Sequence, residues 1–67
     1  MDYKMIEDLV KDFCKEQLTN AKLDSDRKNS YKTTAYGAVQ FACNNLFPCF
    51  NEELGEWWSG FKSCFDN

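Results

Sequence analysis

The chain contains no histidine. That single absence removes the usual general base, the usual partner of a Ser or Cys nucleophile, and the commonest protein metal ligand. Glycine is scarce as well: Gly37, Gly55 and Gly60 stand far apart, so no glycine-rich loop exists to cradle a phosphate. There is one proline, Pro48, no internal repeat, and no linker long enough to separate domains. No C-x-x-C knuckle announces a zinc site or a redox pair.

Two further shortages narrow the partners. Basic residues gather only at Lys22, Arg27, Lys28 and Lys32, interrupted by Asp24 and Asp26, in a chain of net charge -3. Phosphate neutralisation needs clustered Lys and Arg, so nucleic acid is not an expected partner. The same charge is too weak and mixed for an acidic mimic of nucleic acid. Long apolar runs are also missing. The longest charge-free stretch, Thr33 to Asn51, carries Thr33, Thr34, Gln40, Asn44, Asn45 and Pro48 and is too polar for a membrane span. The start, Met-Asp-Tyr-Lys, enters an amphipathic pattern without the apolar core of a signal peptide, so the expected location is the cytoplasm.

What the chain does have is aromatic residues, at 16% of 67 positions, within an ordinary globular balance of apolar and charged residues. One domain spanning residues 1–67 is all this length allows. A chain so short buries only about 60% of its unfolded surface, and small domains make up the shortfall with disulfides, metals, self-association or dense packing.

Helical periodicity runs through three segments, and the expected fold is all-α, a small three-helix bundle over about 3–21, 25–47 and 52–65. In the first, Met5, Ile6, Leu9, Val10, Phe13, Cys14, Leu18 and Ala21 recur at the 3–4 spacing of one face. Lys4, Glu7, Asp8, Lys11, Asp12 and Lys15 fall opposite, with Lys4/Asp8 and Glu7/Lys11 at ion-pair spacing. The second start is contested between a cap at Asp24 or Ser25 and one at Ser30. The earlier is preferred because it puts Asp26 in the first turn, where the helix dipole favours an acid.

Tyr31, Ala35, Ala38, Val39, Ala42, Cys43 and Leu46 form the second apolar stripe, flanked by Tyr36 and Phe47 on one side and Phe41 on the other. That arc is wider than one neighbour covers, which makes this helix the expected centre of the bundle. Its remaining face, Thr33, Gly37, Gln40 and Asn44, is polar but uncharged and suits partial burial. Gly37 costs roughly 1 kcal/mol against Ala inside a helix, which close backbone packing or a bend would explain. Pro48 ends the helix. In the third segment Leu54, Trp57, Trp58, Phe61, Cys64 and Phe65 recur at helical spacing, with the two Trp residues toward opposite edges.

The paired carboxylates, Glu7/Asp8 and Glu52/Glu53, sit on solvent faces or in a first turn, and no catalytic residue is assigned. Cys14, Cys43, Cys49 and Cys64 are read first as buried thiols. Disulfides such as Cys43–Cys49 or Cys14–Cys64, or a Cys-only metal site, are the alternatives. No cofactor and no small-molecule substrate is expected. The functional expectation is a non-enzymatic protein-protein interaction module that associates with itself or a protein partner, a dimer being one way to cover the surplus arc. Its interface candidates are Tyr36, Phe41, Phe47, Phe50, Trp57 and Trp58. A cysteine-based metal or thiol redox module is the second reading.

Overall fold

A computed structural model describes residues 3–46 and 51–66, with helix α1 at Tyr3–Leu23, α2 at Lys28–Phe41 and α3 at Asn51–Phe61. No strand occurs among the described residues, and the architecture is the expected three-helix one. Leu46's side chain and the whole of Phe47, Pro48, Cys49 and Phe50 lie outside what is described.

The contested start of the second helix resolves toward the earlier option. Ser25–Arg27 form a 3-10 turn that leads directly into α2. Asp24 makes no side-chain cap; its amide instead donates to the Asn20 carbonyl at 2.9 Å, and its carbonyl accepts from the Arg27 amide at 3.1 Å. The chain thus reverses over the four residues Asp24–Arg27, of which only Asp24 lies outside helical structure. At its other end α2 passes at Ala42 into a π-helical segment, Ala42–Leu46, and α3 tightens at Lys62 into a 3-10 turn, Lys62–Asp66. Lys32 ties that last turn back to α2 through Asp66 at 3.1 Å.

The seam between α1 and α2 is built from small side chains. Cys14, Ala21, Ala35 and Ala42 are buried along it with Val39, and the Cys14 thiol donates to the Ala35 carbonyl at 3.7 Å. A side chain in contact with the backbone of the facing helix means the two helices approach closely, leaving room in the seam only for small groups. Large apolar residues fall to its two edges. On one edge α3 and the 3-10 turn that follows it cover them with Leu54, Trp58 and Phe65, all buried.

This arrangement corrects the reading of α1. Gln17 is buried, whereas Met5, Leu9 and Phe13 are exposed, and Glu7 and Lys11 are half-buried on the α3 side. The helix is rotated about its axis relative to the expected stripe, because its neighbours are α2 and α3 together, and α3 lies toward Lys11. The ion pairs expected on α1 are present, Lys4–Asp8 at 3.2 Å and Lys11–Glu7 at 3.3 Å.

The polar face of α2 is likewise not buried: Thr33, Gly37, Gln40 and Asn44 are all exposed. Gly37 has neither of the explanations its cost calls for. The helix continues unbroken through it, and a Cβ added there would meet nothing within 4 Å. Gly37→Ala is therefore expected to stabilise the fold by up to about 1 kcal/mol, through helix propensity and a less flexible unfolded chain. Urea unfolding measures this, and a loss of stability would show that the position uses its lack of a side chain.

Candidate functional site

The third helix divides the expected interface residues between two environments. Trp57 faces α1, with the Lys11 ammonium 5.6 Å from its ring centroid and Phe61 stacked on it at 4.6 Å. Trp58 faces α2, stacked on Tyr36 at 5.8 Å and 12°. The adjacent pair straddles the hairpin as the wheel required, but unequally: Trp57 is half-buried, and Trp58 is only 6% exposed. Trp58 is a core residue of the single chain, so it presents no free surface. Tyr36 keeps an exposed edge, and Phe47 and Phe50 fall outside the described residues.

Among the described candidates, Phe41 is the one that lines a groove between α1 and α2 without a residue of α3. It stands 59% exposed beside three residues the sequence assigned to the core, Met5 at 60%, Leu9 at 62% and Phe13 at 37%. Leu9, Val10, Phe13, Ala38, Phe41 and Ala42 enclose an open groove of about 330 Å³ between α1 and α2, and almost all of its lining is apolar. Met5, Leu9 and Phe13, spaced four apart, extend it along α1. A signal for this second face was present: the eight apolar positions of α1 span roughly 220° at about 100° per residue, twice what one seam needs.

The exposed face of α2, which runs from Phe41 at the groove to Thr33 and Tyr36 beside Trp58, is polar without being unsatisfied. Thr33 and Thr34 donate to the carbonyls of Asn29 and Ser30 at 2.8 and 2.9 Å. The Gln40 amide donates to the Tyr36 hydroxyl at 3.0 Å, the Asn44 amide to Gln40 Oε1 at 3.3 Å, and the Asn45 amide to the Phe41 carbonyl at 3.2 Å. Each of these groups gives a proton to its own helix. Burying them under another surface would therefore strand fewer donors than an ordinary polar face, where each unmet group costs about 1–3 kcal/mol.

The three described cysteines do not converge. Cys14 and Cys43 are buried and Cys64 is half-buried; Cys14 and Cys64 are free thiols, so the Cys14–Cys64 disulfide is not formed. Burial pushes the Cys14 thiol up to about 11 and moves Cys43 in the same direction, opposite to the depression a reactive thiolate requires. Among the described residues no group of three or more Cys, Asp or Glu is placed to hold a metal ion, and no helix is long and apolar enough to cross a membrane. Cys49 is not among them.

No known protein family, curated protein or solved structure matches this chain.

Proposed function

We propose that the protein is a small helical interaction module, without catalytic activity of its own, that works in the cytoplasm by docking another protein surface on the open side of the α1/α2 hairpin. The observation that carries this reading is the row Met5, Leu9 and Phe13 alongside Phe41. Three large apolar side chains, Leu9, Phe13 and Phe41, stand exposed around one groove, with Met5 exposed one turn further along α1, in a chain short of core. Isolated exposed apolar residues are ordinary, but a contiguous group around a concavity marks an interaction surface. Aromatic anchors such as Phe13 and Phe41 lose little entropy on burial and supply much of the energy of protein interfaces. Nucleic acid and lipid are not the expected partners, because the face carries no basic cluster to meet phosphate.

Position-specific crosslinking tests this. A photoreactive residue at position 41, in cells that make the protein, is expected to give a covalent adduct. The same residue at position 59, exposed on α3, is expected to give none, and Leu9→Glu is expected to suppress the adduct from position 41. Equal capture from both positions, or none from position 41, would refute the docking face.

A further inference from the structure

Resting on that docking face, we infer that its occupant is a second copy of this chain, laid hairpin on hairpin to form a four-helix dimer in which α2 of each copy lies over α1 of the other. Charge selects the occupant. From Thr33 through Asn45 the chain has no ionisable group other than the Tyr36 phenol and the buried Cys43 thiol, and the outward positions Thr33, Thr34, Gly37, Gln40, Phe41, Asn44 and Asn45 are all uncharged. A partner of opposite charge would find nothing on this helix to pair with. Two copies of an acidic chain, by contrast, repel wherever like meets like, and a two-fold contact sets each patch against its own copy or its neighbour. A face without charge avoids that repulsion, and its internally bonded polar groups can be covered at low cost.

Charge also selects the geometry. The outer edge of α1 is acidic, with Asp12 and Glu16 exposed. A dyad across the helices would stack α1 on α1 and bring these acids together. A dyad running along the hairpin sets α1 over the uncharged α2 of the other copy, with neighbouring helices antiparallel. It also keeps every residue at its own height. Phe41, which lines the groove beside Leu9 and Phe13 in its own chain, then reaches Leu9 and Phe13 of the second copy, and the reciprocal pair forms at the same level. Each groove receives one phenyl ring.

Sedimentation equilibrium over about 5 to 500 µM tests the pairing. The expected result is a concentration-dependent shift from 7.8 kDa to twice that mass. Phe41→Glu, whose site is exposed in the monomer and now faces an acidic edge, is expected to weaken the dimer at least tenfold with helical circular dichroism unchanged. Leu9→Glu gives an independent variant on the other helix, and Ser59→Glu on α3 is expected to dimerise as the wild type does. A monomer at every concentration, or a dimer indifferent to both Phe41→Glu and Leu9→Glu, would overturn the self-pairing. The docking face itself would survive that result if the adduct at position 41 contained a different protein, and would fall with it if no adduct formed.

Discussion

Phe65→Ala is expected to remove about a third or more of the stability of the fold and to lower its thermal midpoint by well over 10 °C. Phe65 is 1% exposed and sits in the short 3-10 turn that closes the fold, where Phe61 meets it edge-on at 5.9 Å and Trp58 tilts against it at 6.1 Å. With Leu18, Ala21 and Lys22 of α1 and Lys28 of α2 it also borders the cavity at the hairpin turn, so one ring joins the end of the chain to both other helices. Truncating a buried Phe to Ala costs about 3–5 kcal/mol through lost transfer energy and the void left behind. A chain of this length has roughly 3–10 kcal/mol in total, at about 0.05–0.15 kcal/mol per residue. The Lys32–Asp66 pair beside it is too exposed to compensate, being worth at most about 1 kcal/mol. Thermal melts followed by circular dichroism should show a midpoint lowered by well over 10 °C, or no transition at all, since about 1 kcal/mol moves a domain this small by about 4–8 °C. Phe65→Leu keeps most of the volume and should fall between the two. A Phe65→Ala midpoint within 5 °C of wild type would show that this ring does not hold the third helix down.

The same residue illustrates which parts of the fold are legible before any coordinates. Helical periods, and the roles of Phe61, Phe65 and Leu54, follow from spacing alone, because an amphipathic segment must bury its stripe somewhere. Periodicity does not say how many neighbours a helix has. For α1 it gives one broad apolar face, and only the position of α3 divides that face into a buried part, with Cys14, Gln17 and Ala21, and an open part, with Met5, Leu9 and Phe13, while Val10 lies half-buried at the border and lines the groove. Gln17 falls inside the same arc, between Ile6 and Val10 on the wheel, so its position is readable and only its polar amide hides its burial.

The candidate face was half legible. Phe41 lies off the main stripe of α2, and of the interface candidates within the described residues it is the one that lines the groove. Trp57 and Trp58, at opposite edges of the third apolar stripe, are two large adjacent rings on a short helix. The hairpin absorbs them by giving each its own helix to lean on, Lys11 under Trp57 and Tyr36 against Trp58. The π-helical segment at Ala42–Leu46 had no counterpart in the sequence reading, which foresaw only an end imposed by Pro48. Its widened turn begins directly after Phe41, where Ala42 closes the groove and the Asn45 side-chain amide donates to the Phe41 carbonyl.

Alkaline unfolding should single out Cys14. Its thiol has no solvent exposure, and burial disfavours the thiolate, raising its titration from an ordinary 9.0 to about 11. The hydrogen bond it donates to the Ala35 carbonyl exists only while the proton is present. Because the folded thiol titrates above the unfolded one, its contribution to stability is whole below about pH 9 and disappears as pH rises through 9 toward 11. A displacement of this size corresponds to roughly 2–3 kcal/mol at about 1.36 kcal/mol per pH unit, a large share of what holds a small domain together. Urea unfolding at pH 8, 9, 10 and 11 should therefore show wild-type stability falling more steeply than that of Cys14→Ala. The variant begins lower because of the volume it loses, and the two curves should converge near the top of the range. Lysine deprotonation acts on both proteins alike and cancels in the comparison. Parallel curves would mean that ionising this thiol is not coupled to opening the α1/α2 seam. Alkylation supplies a second readout under native conditions: iodoacetamide should label half-buried Cys64 readily and leave Cys14 intact until urea opens the seam. Labelling of Cys14 at the rate of Cys64 in the folded protein would place the small-residue seam among the parts of the fold that open first, and the close helix approach inferred from Cys14 and Ala35 would not hold.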